Sequence, residues 1–164
     1  MARSKIKHFK GFSIVDGDVR AKLSMSRFEK QFQRAQYQLD GDVMDSMEPF
    51  MPKVKGTFIN ATRAASAAVQ GSGEVYAAYG PQGRFLYEGK TMVSPSTGST
   101  WAKKREKKVL VSQYGGKTNA KENLAYTRQA HSQAQSHWFD AAKKKDGQTW
   151  IKNVKKTAGG GERG

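Results

Sequence analysis

The strongest constraint on how this chain folds is a helical period that opens at Ser26 and is closed by two prolines. Phe28, Phe32, Ala35, Leu39, Val43 and Met47 recur at spacings of three and four, which places them on one side of a helix. Ser26 with Glu29 three residues later has the form of a capping box, and Pro49 and Pro52 cannot continue the backbone ladder. The expected helix therefore runs over about residues 26–48. Its other side carries Lys30, Arg34, Asp40 and Asp45, read as a wet face. Gly41 inside it costs about 1 kcal/mol relative to alanine, so it marks a close backbone approach or a tolerated defect.

A second helical period returns near the end of the chain. Phe139, Ala142, Trp150 and Val154 stay on one side of a continuous element, and one helix is expected over about residues 135–157 in spite of Asp146-Gly147. Lys143, Lys144, Lys145, Lys152, Lys155 and Lys156 give it a basic outer face, and those near its end complement the helix dipole.

Between the helices the patterns are shorter. Residues 11–24 read as two strands around Asp16-Gly17. After the Gly56-Thr57-Phe58 restart the residues to Gln70 are small, and the window Ala64–Val69 is ambiguous between helix and strand. Because they enter Gly71-Ser72-Gly73 and are answered by alternating Val75, Ala77 and Tyr79, they are expected to be one arm of a long hairpin. The helical stripe would bury against that sheet. Thr91–Thr100 reads as an exposed loop, Val109-Leu110-Val111 and Leu124-Ala125-Tyr126-Thr127 as short strands, and Gly115-Gly116 as a turn. Arg84-Phe85-Leu86-Tyr87-Glu88-Gly89 packs three large side chains between a cation and an anion, and must rest on something. The fold class expected is α+β: a long N-terminal helix packed on an antiparallel β-sheet, with a C-terminal helix and extended termini. The domain organisation expected is an N-terminal arm or hairpin over 1–25, one α+β domain over 26–157 and a glycine-rich tail over 158–164.

Charge is the loudest compositional feature, at +15 over 164 residues. Residues 1–100 hold 14 basic and 9 acidic side chains and residues 101–164 hold 15 and 5, so the net values are +5 and +10. Such a field attracts polyanions, whether nucleic acid or an acidic protein surface. Trp101 followed by Lys103, Lys104, Arg105, Lys107 and Lys108 around the single Glu106 is the densest basic run. It is a candidate contact for an acidic partner or for DNA, although such a run is more often a solvated loop or strand edge.

Little in the sequence points to chemistry. The absence of cysteine removes thiol nucleophiles, thiolate metal sites and disulfides. His131 and His137 are six apart, which does not place two ligands on one helical face. Asp16 and Asp18 lack the later ligands of a calcium loop, and Asp40, Asp42, Asp45 and Glu48 have the spacing of a wet helix face. No phosphate-binding glycine loop, dinucleotide fingerprint or nucleophile elbow is present. The expectation is no enzyme, no cofactor and no metal. With no apolar run of signal or membrane-spanning length, the chain also reads as soluble and without a cleaved export signal.

In order and spacing, several pieces resemble the minor capsid or neck proteins of tailed bacteriophages, the group related to the tail-completion proteins of lambda-like siphophages. These are residues 38–52, Gly56-Thr57-Phe58, Val75-Tyr76, Arg84–Lys90, and Leu124–Thr127 followed by Ser136-His137-Trp138-Phe139. The resemblance spans about residues 26–156 and departs at Pro81-Gln82-Gly83, where such proteins often carry a tyrosine–alanine pair. It implies a structural virion protein, made in the host cytoplasm, forming a homo-oligomeric ring of six or twelve copies at the head–tail junction. Implied neighbours are the head-completion (stopper) and tail terminator rings, with packaged DNA passing through the lumen and no membrane. Arg84, Phe85, Tyr87, Glu88 and Lys90 are then the candidate assembly interface. A stand-alone basic nucleic-acid-binding protein is the alternative, supported by charge alone.

Overall fold

The computed structural model describes the backbone of two strands, Phe12–Asp16 and Val19–Leu23, and residues 26–159 in full. The elements in order are β1 (Phe12–Asp16), β2 (Val19–Leu23), α1 (Ser26–Met47), α2 (Thr57–Ala67), α3 (Gly83–Glu88), β3 (Met92–Val93), β4 (Val109–Leu110) and α4 (Trp138–Ala158). Short 3-10 turns follow α1 at Glu48–Phe50 and β4 at Val111–Gln113. The fold is mixed α+β. Strands β1 and β2 form the antiparallel hairpin read from the sequence, with Asp16 opposite Val19, while its turn residues lie outside the described residues. The expected tail over 158–164 falls outside them from residue 160 on.

By its contacts the chain divides into two compact units. The first takes the chain up to Ser46, Ala64–Tyr76 and the chain from Ala142 on; the second takes Met47–Arg63 and Ala77–Ala141.

In the first unit α1 lies against α4. Thr157 Oγ1 donates to Gln38 Oε1, Asn153 Nδ2 donates to Asp42 Oδ2 at 2.8 Å, and Trp150 Nε1 donates to Ser46 Oγ at 3.0 Å. Residues ascending α1 by one turn at a time meet residues descending α4, so the two helices are antiparallel. Ala35, Val43, Ala142 and Trp150 are buried along them. α4 is one continuous helix, as its period predicts.

This arrangement corrects the expected helix-on-sheet packing. Val75, Ala77 and Tyr79 form no strand, Leu39 is half-buried, and Phe28 keeps 49% of its surface exposed. The small-residue run is helix α2 over Thr57–Ala67, not a hairpin arm. Alanine is the best helix former and a poor strand former, and Ile59, Thr62 and Ser66, all buried, sit at helical spacing. The amides that a strand would have paired meet hydroxyls instead. Tyr76 N–H donates to Ser66 Oγ at 3.0 Å in the first unit, and Tyr79 N–H donates to Thr62 Oγ1 at 3.1 Å in the second.

The glycines of the 71–73 turn have a specific task. Gly71 and Gly73 take φ of +88° and +78°, and both donate their amides to Asp40 Oδ2, at 2.6 and 3.1 Å. Asp40, assigned to the wet face by its spacing, is only 4% exposed and is further held by Gln36 Nε2 at 2.8 Å. A buried carboxylate needs such donors, since without them its desolvation would cost several kcal/mol, on the order of what a charge in a protein interior costs.

The second unit is centred on Trp138. Its ring is fully buried, edge-on to Tyr87 at 4.9 Å and to Phe58 at 5.9 Å, and its Nε1 donates to the Ala77 carbonyl at 2.6 Å. The chain leading to it is tied down on the way: His131 Nδ1 lies 2.9 Å from the Met51 carbonyl, Gln135 N–H donates to the Phe50 carbonyl at 3.0 Å, and His137 N–H to the Tyr87 carbonyl at 2.9 Å. Antiparallel β3 and β4 pair Met92 with Leu110 and Val93 with Val109. The predicted exposed loop thus begins with a strand, and Thr91, Val93 and Ser94 are buried. Leu124–Thr127 forms no strand; a single bridge joins Asn123 to Lys90, and Leu124 N–H donates to the Gly89 carbonyl at 2.9 Å. Gly115-Gly116 is not hydrogen-bonded as a turn.

Candidate functional site

All the residues singled out as a possible interface lie in the second unit. Helix α3 ends at Gly89: at φ +70° its amide and that of Lys90 turn back to the carbonyls of Leu86 and Phe85, the two bonds of a Schellman cap. A side chain at 89 would meet Ser136 Cβ at 3.0 Å and the Tyr126 hydroxyl at 3.1 Å, so glycine is required there for space as well as for conformation.

The short helix divides the candidate set. Tyr87 points inward, edge-on to Trp138 and to His137 at 5.1 Å, and burial followed by the Asp140 and Glu88 carboxylates pushes its hydroxyl above the ordinary 10.0. Its ring is committed to the unit's own packing. Glu88 faces His137 Nε2 at 3.3 Å. Lys90 Nζ donates to Asn123 Oδ1 at 3.0 Å and approaches Glu122 at 3.4 Å. Arg84 is exposed, and it has neither a hydrogen bond nor an ion pair among the described residues.

The basic run 101–108 is held by its single acid. Glu106 Oε1 accepts from Ser96 Oγ at 2.6 Å, from Ser94 Oγ at 2.8 Å and from Ser96 N–H at 3.3 Å, while Oε2 accepts from Lys103 N–H at 2.9 Å. A turn closed by Glu106 N–H on the Lys103 carbonyl, with Arg105 at φ +70°, brings the carboxylate round to these donors. They lower its pKa from 4.5 to about 2, the Ser96 hydroxyl contributing most, then the Lys103 amide and the Ser94 hydroxyl. Further bonds brace the base of the loop: Ser94 N–H to the Ser99 carbonyl, Gly98 N–H to the Ser94 carbonyl, and Thr118 Oγ1 to the Gly98 carbonyl at 2.6 Å.

On this braced loop Trp101 stands 85% exposed. The Lys103, Lys104, Arg105 and Lys107 side chains are exposed around it without partners among the described residues, and Lys108 Nζ donates to the Thr100 carbonyl at 2.7 Å. A large aromatic held outward on an ordered loop resembles the anchors of protein interfaces, which lose little conformational freedom on binding.

The two candidate sets meet. Arg84, Phe85, Glu88 and Lys90 line one cleft of about 490 Å³ together with Met92, Lys108, Val109, Leu110 and Gln113. The sequence separates these groups by some twenty residues; the β3–β4 pairing joins them. The role of Glu106 escaped the sequence because one acid among cations looks like a solubility residue. Its only signal was the run of serines upstream.

No helix among the described residues is long and apolar enough to cross a membrane, and no cluster of three or more of their histidine and acidic side chains could hold a metal ion. The chain matches no family model, no curated protein and no solved structure.

Proposed function

We propose that this chain is a structural virion protein of a tailed bacteriophage, a ring-forming subunit of the neck that joins the DNA-filled head to the tail. The reading rests on the order of motifs over residues 26–156 that resembles neck and tail-completion proteins, and on one observation: a braced loop that presents Trp101 among unpartnered cations. Such a loop is built to dock. Its lysines serve acidic surfaces of neighbouring virion proteins better than packaged DNA, because a neck must let DNA slide and tight phosphate binding would oppose that. Homo-oligomerisation into a ring of six or twelve copies, between stopper and terminator rings, follows from the same reading. Imaging purified virions together with subunit mass spectrometry tests it: the chain should be present in a fixed multiple at the head–tail junction, and its absence from particles would overturn the proposal.

One observation favours the alternative of nucleic-acid binding. Lys144, Lys152 and Lys155 lie exposed on one side of α4 with Ile151 between them, a regular basic stripe that suits a phosphate backbone. Salt-sensitive duplex binding by a chain that is not found in virions would support this reading over the first.

A further inference from the structure

The cleft between α3 and the β3–β4 pair differs from the rest of the basic surface in having an apolar floor. Phe85, Met92, Val109 and Leu110 line it, and Arg84, Lys90 and Lys108 stand at its rim with the single carboxylate of Glu88. The rim groups are in different states. Lys90 is fixed by Asn123 and Glu122, Lys108 by the Thr100 carbonyl, and Glu88 is turned to His137. Arg84 alone has no partner among the described residues, so its guanidinium is free to take a carboxylate through two parallel bonds.

We infer that this cleft receives a linear acidic segment of another protein, with one large apolar side chain seated on the Phe85–Met92–Leu110 floor and an adjacent carboxylate on Arg84. The inference deepens the proposed function by naming the partner's chemistry, and rests on it only in supposing that a protein docks on this face. Three considerations select the occupant. A bare polyanion such as duplex DNA would satisfy the rim and leave the floor wet, whereas seating one apolar side chain recovers its transfer free energy from water. A second copy of this chain carries a net charge of +15 and complements this basic rim poorly, so the self-contacts of the proposed ring would lie on other surfaces. The cleft, at about 490 Å³, has room for more than one side chain, as an anchor with its flanking carboxylate requires. Lys108 belongs both to the cleft and to the base of the Trp101 loop through Thr100, so a segment leaving the cleft on that side meets the loop cations next.

The test uses the full chain and three fluorescent probes: an acidic peptide with one central phenylalanine, the same peptide with serine in its place, and a duplex oligonucleotide of equal charge. The phenylalanine peptide is expected to bind at least about tenfold more tightly than the serine peptide, the discrimination that burying one such side chain provides. Arg84→Glu should abolish that binding, and since Arg84 is exposed and unpaired the variant should keep its fold, checked by circular dichroism. Lys143→Glu/Lys144→Glu, in the first unit, should leave it unchanged. Equal binding of the two peptides, displacement of peptide by duplex at equal charge, or binding that survives Arg84→Glu overturns the cleft assignment, whether or not the chain is found in virions. Selective peptide binding by a chain absent from virions overturns the neck reading and leaves the cleft standing.

Discussion

Glu106 reaches back twelve residues to accept from the Ser94 hydroxyl at 2.8 Å, one of the four hydrogen bonds by which its carboxylate holds a basic stretch of sequence as an ordered loop. Because the folded carboxyl titrates at about 2 against an ordinary 4.5, its contribution is complete above 4.5 and is lost as pH falls through 2. The protection factors of the Ser96 and Lys103 amides, measured against the intrinsic exchange rate at each pH, should therefore stay high at neutral pH and fall only across that acid window. In Glu106→Gln the window should vanish and the protection of both amides be lowered at every pH. Protection of Lys103 that is indifferent to the Gln substitution would mean that the loop is held by something else.

The two tryptophans should behave oppositely. Trp138→Ala removes a fully buried ring with two aromatic neighbours and is expected to cost about 3–5 kcal/mol. Trp101→Ala, at an exposed site, should change stability by no more than about 0.5 kcal/mol. Chemical denaturation of the two variants checks this, and a large loss at Trp101 would place that ring in the molecule's own packing.

Gly41 offers a sharper energetic test. Gln70 Nε2 lies 2.8 Å from where a Cβ on Gly41 would sit and donates to the Tyr37 carbonyl at 2.9 Å. Alanine at 41 would gain about 1 kcal/mol of helix propensity but displace that amide, forfeiting a bond worth about 0.5–1.5 kcal/mol. The single variant Gly41→Ala should thus be close to neutral. Against a Gln70→Ala background, where nothing is left to displace, the same change should stabilise by the full helix increment. Equal effects in both backgrounds would show that Gln70 does not set the glycine.

Asp40→Ala leaves the Gly71 and Gly73 amides without their acceptor and is expected to cost about 1–3 kcal/mol, the penalty for orphaned buried donors. Asp45→Ala, at an exposed position of the same helix, serves as the comparison and should fall within about 0.5 kcal/mol.

What the sequence made legible is what local periodicity encodes. α1 and α4 were readable because their apolar residues repeat at 3.6 and because prolines close the first; the β1–β2 hairpin was readable from its two short runs on either side of the Asp16-Gly17 dipeptide. The run 57–70 was not: its alanines favour a helix, but the glycines after it and the alternation of Val75, Ala77 and Tyr79 suggested a hairpin. Those glycines instead present amides to Asp40, a contact across 31 and 33 residues that leaves no local pattern. Position had the same effect on the candidate surface. The sequence marked 84–90 and 103–108 separately, and only the pairing of Met92 with Leu110 shows that they border one cleft.

The most direct test of the docking account takes the proposed neck reading as its premise: Lys103, Lys104, Lys107 and Lys108 are replaced together by glutamine in the proposed parent phage and the particles are imaged. If these cations join the neck to acidic neighbours, the products should be DNA-filled heads without tails. Joined tails with impaired retention or ejection of DNA would contradict that account and assign the lysines to the DNA channel.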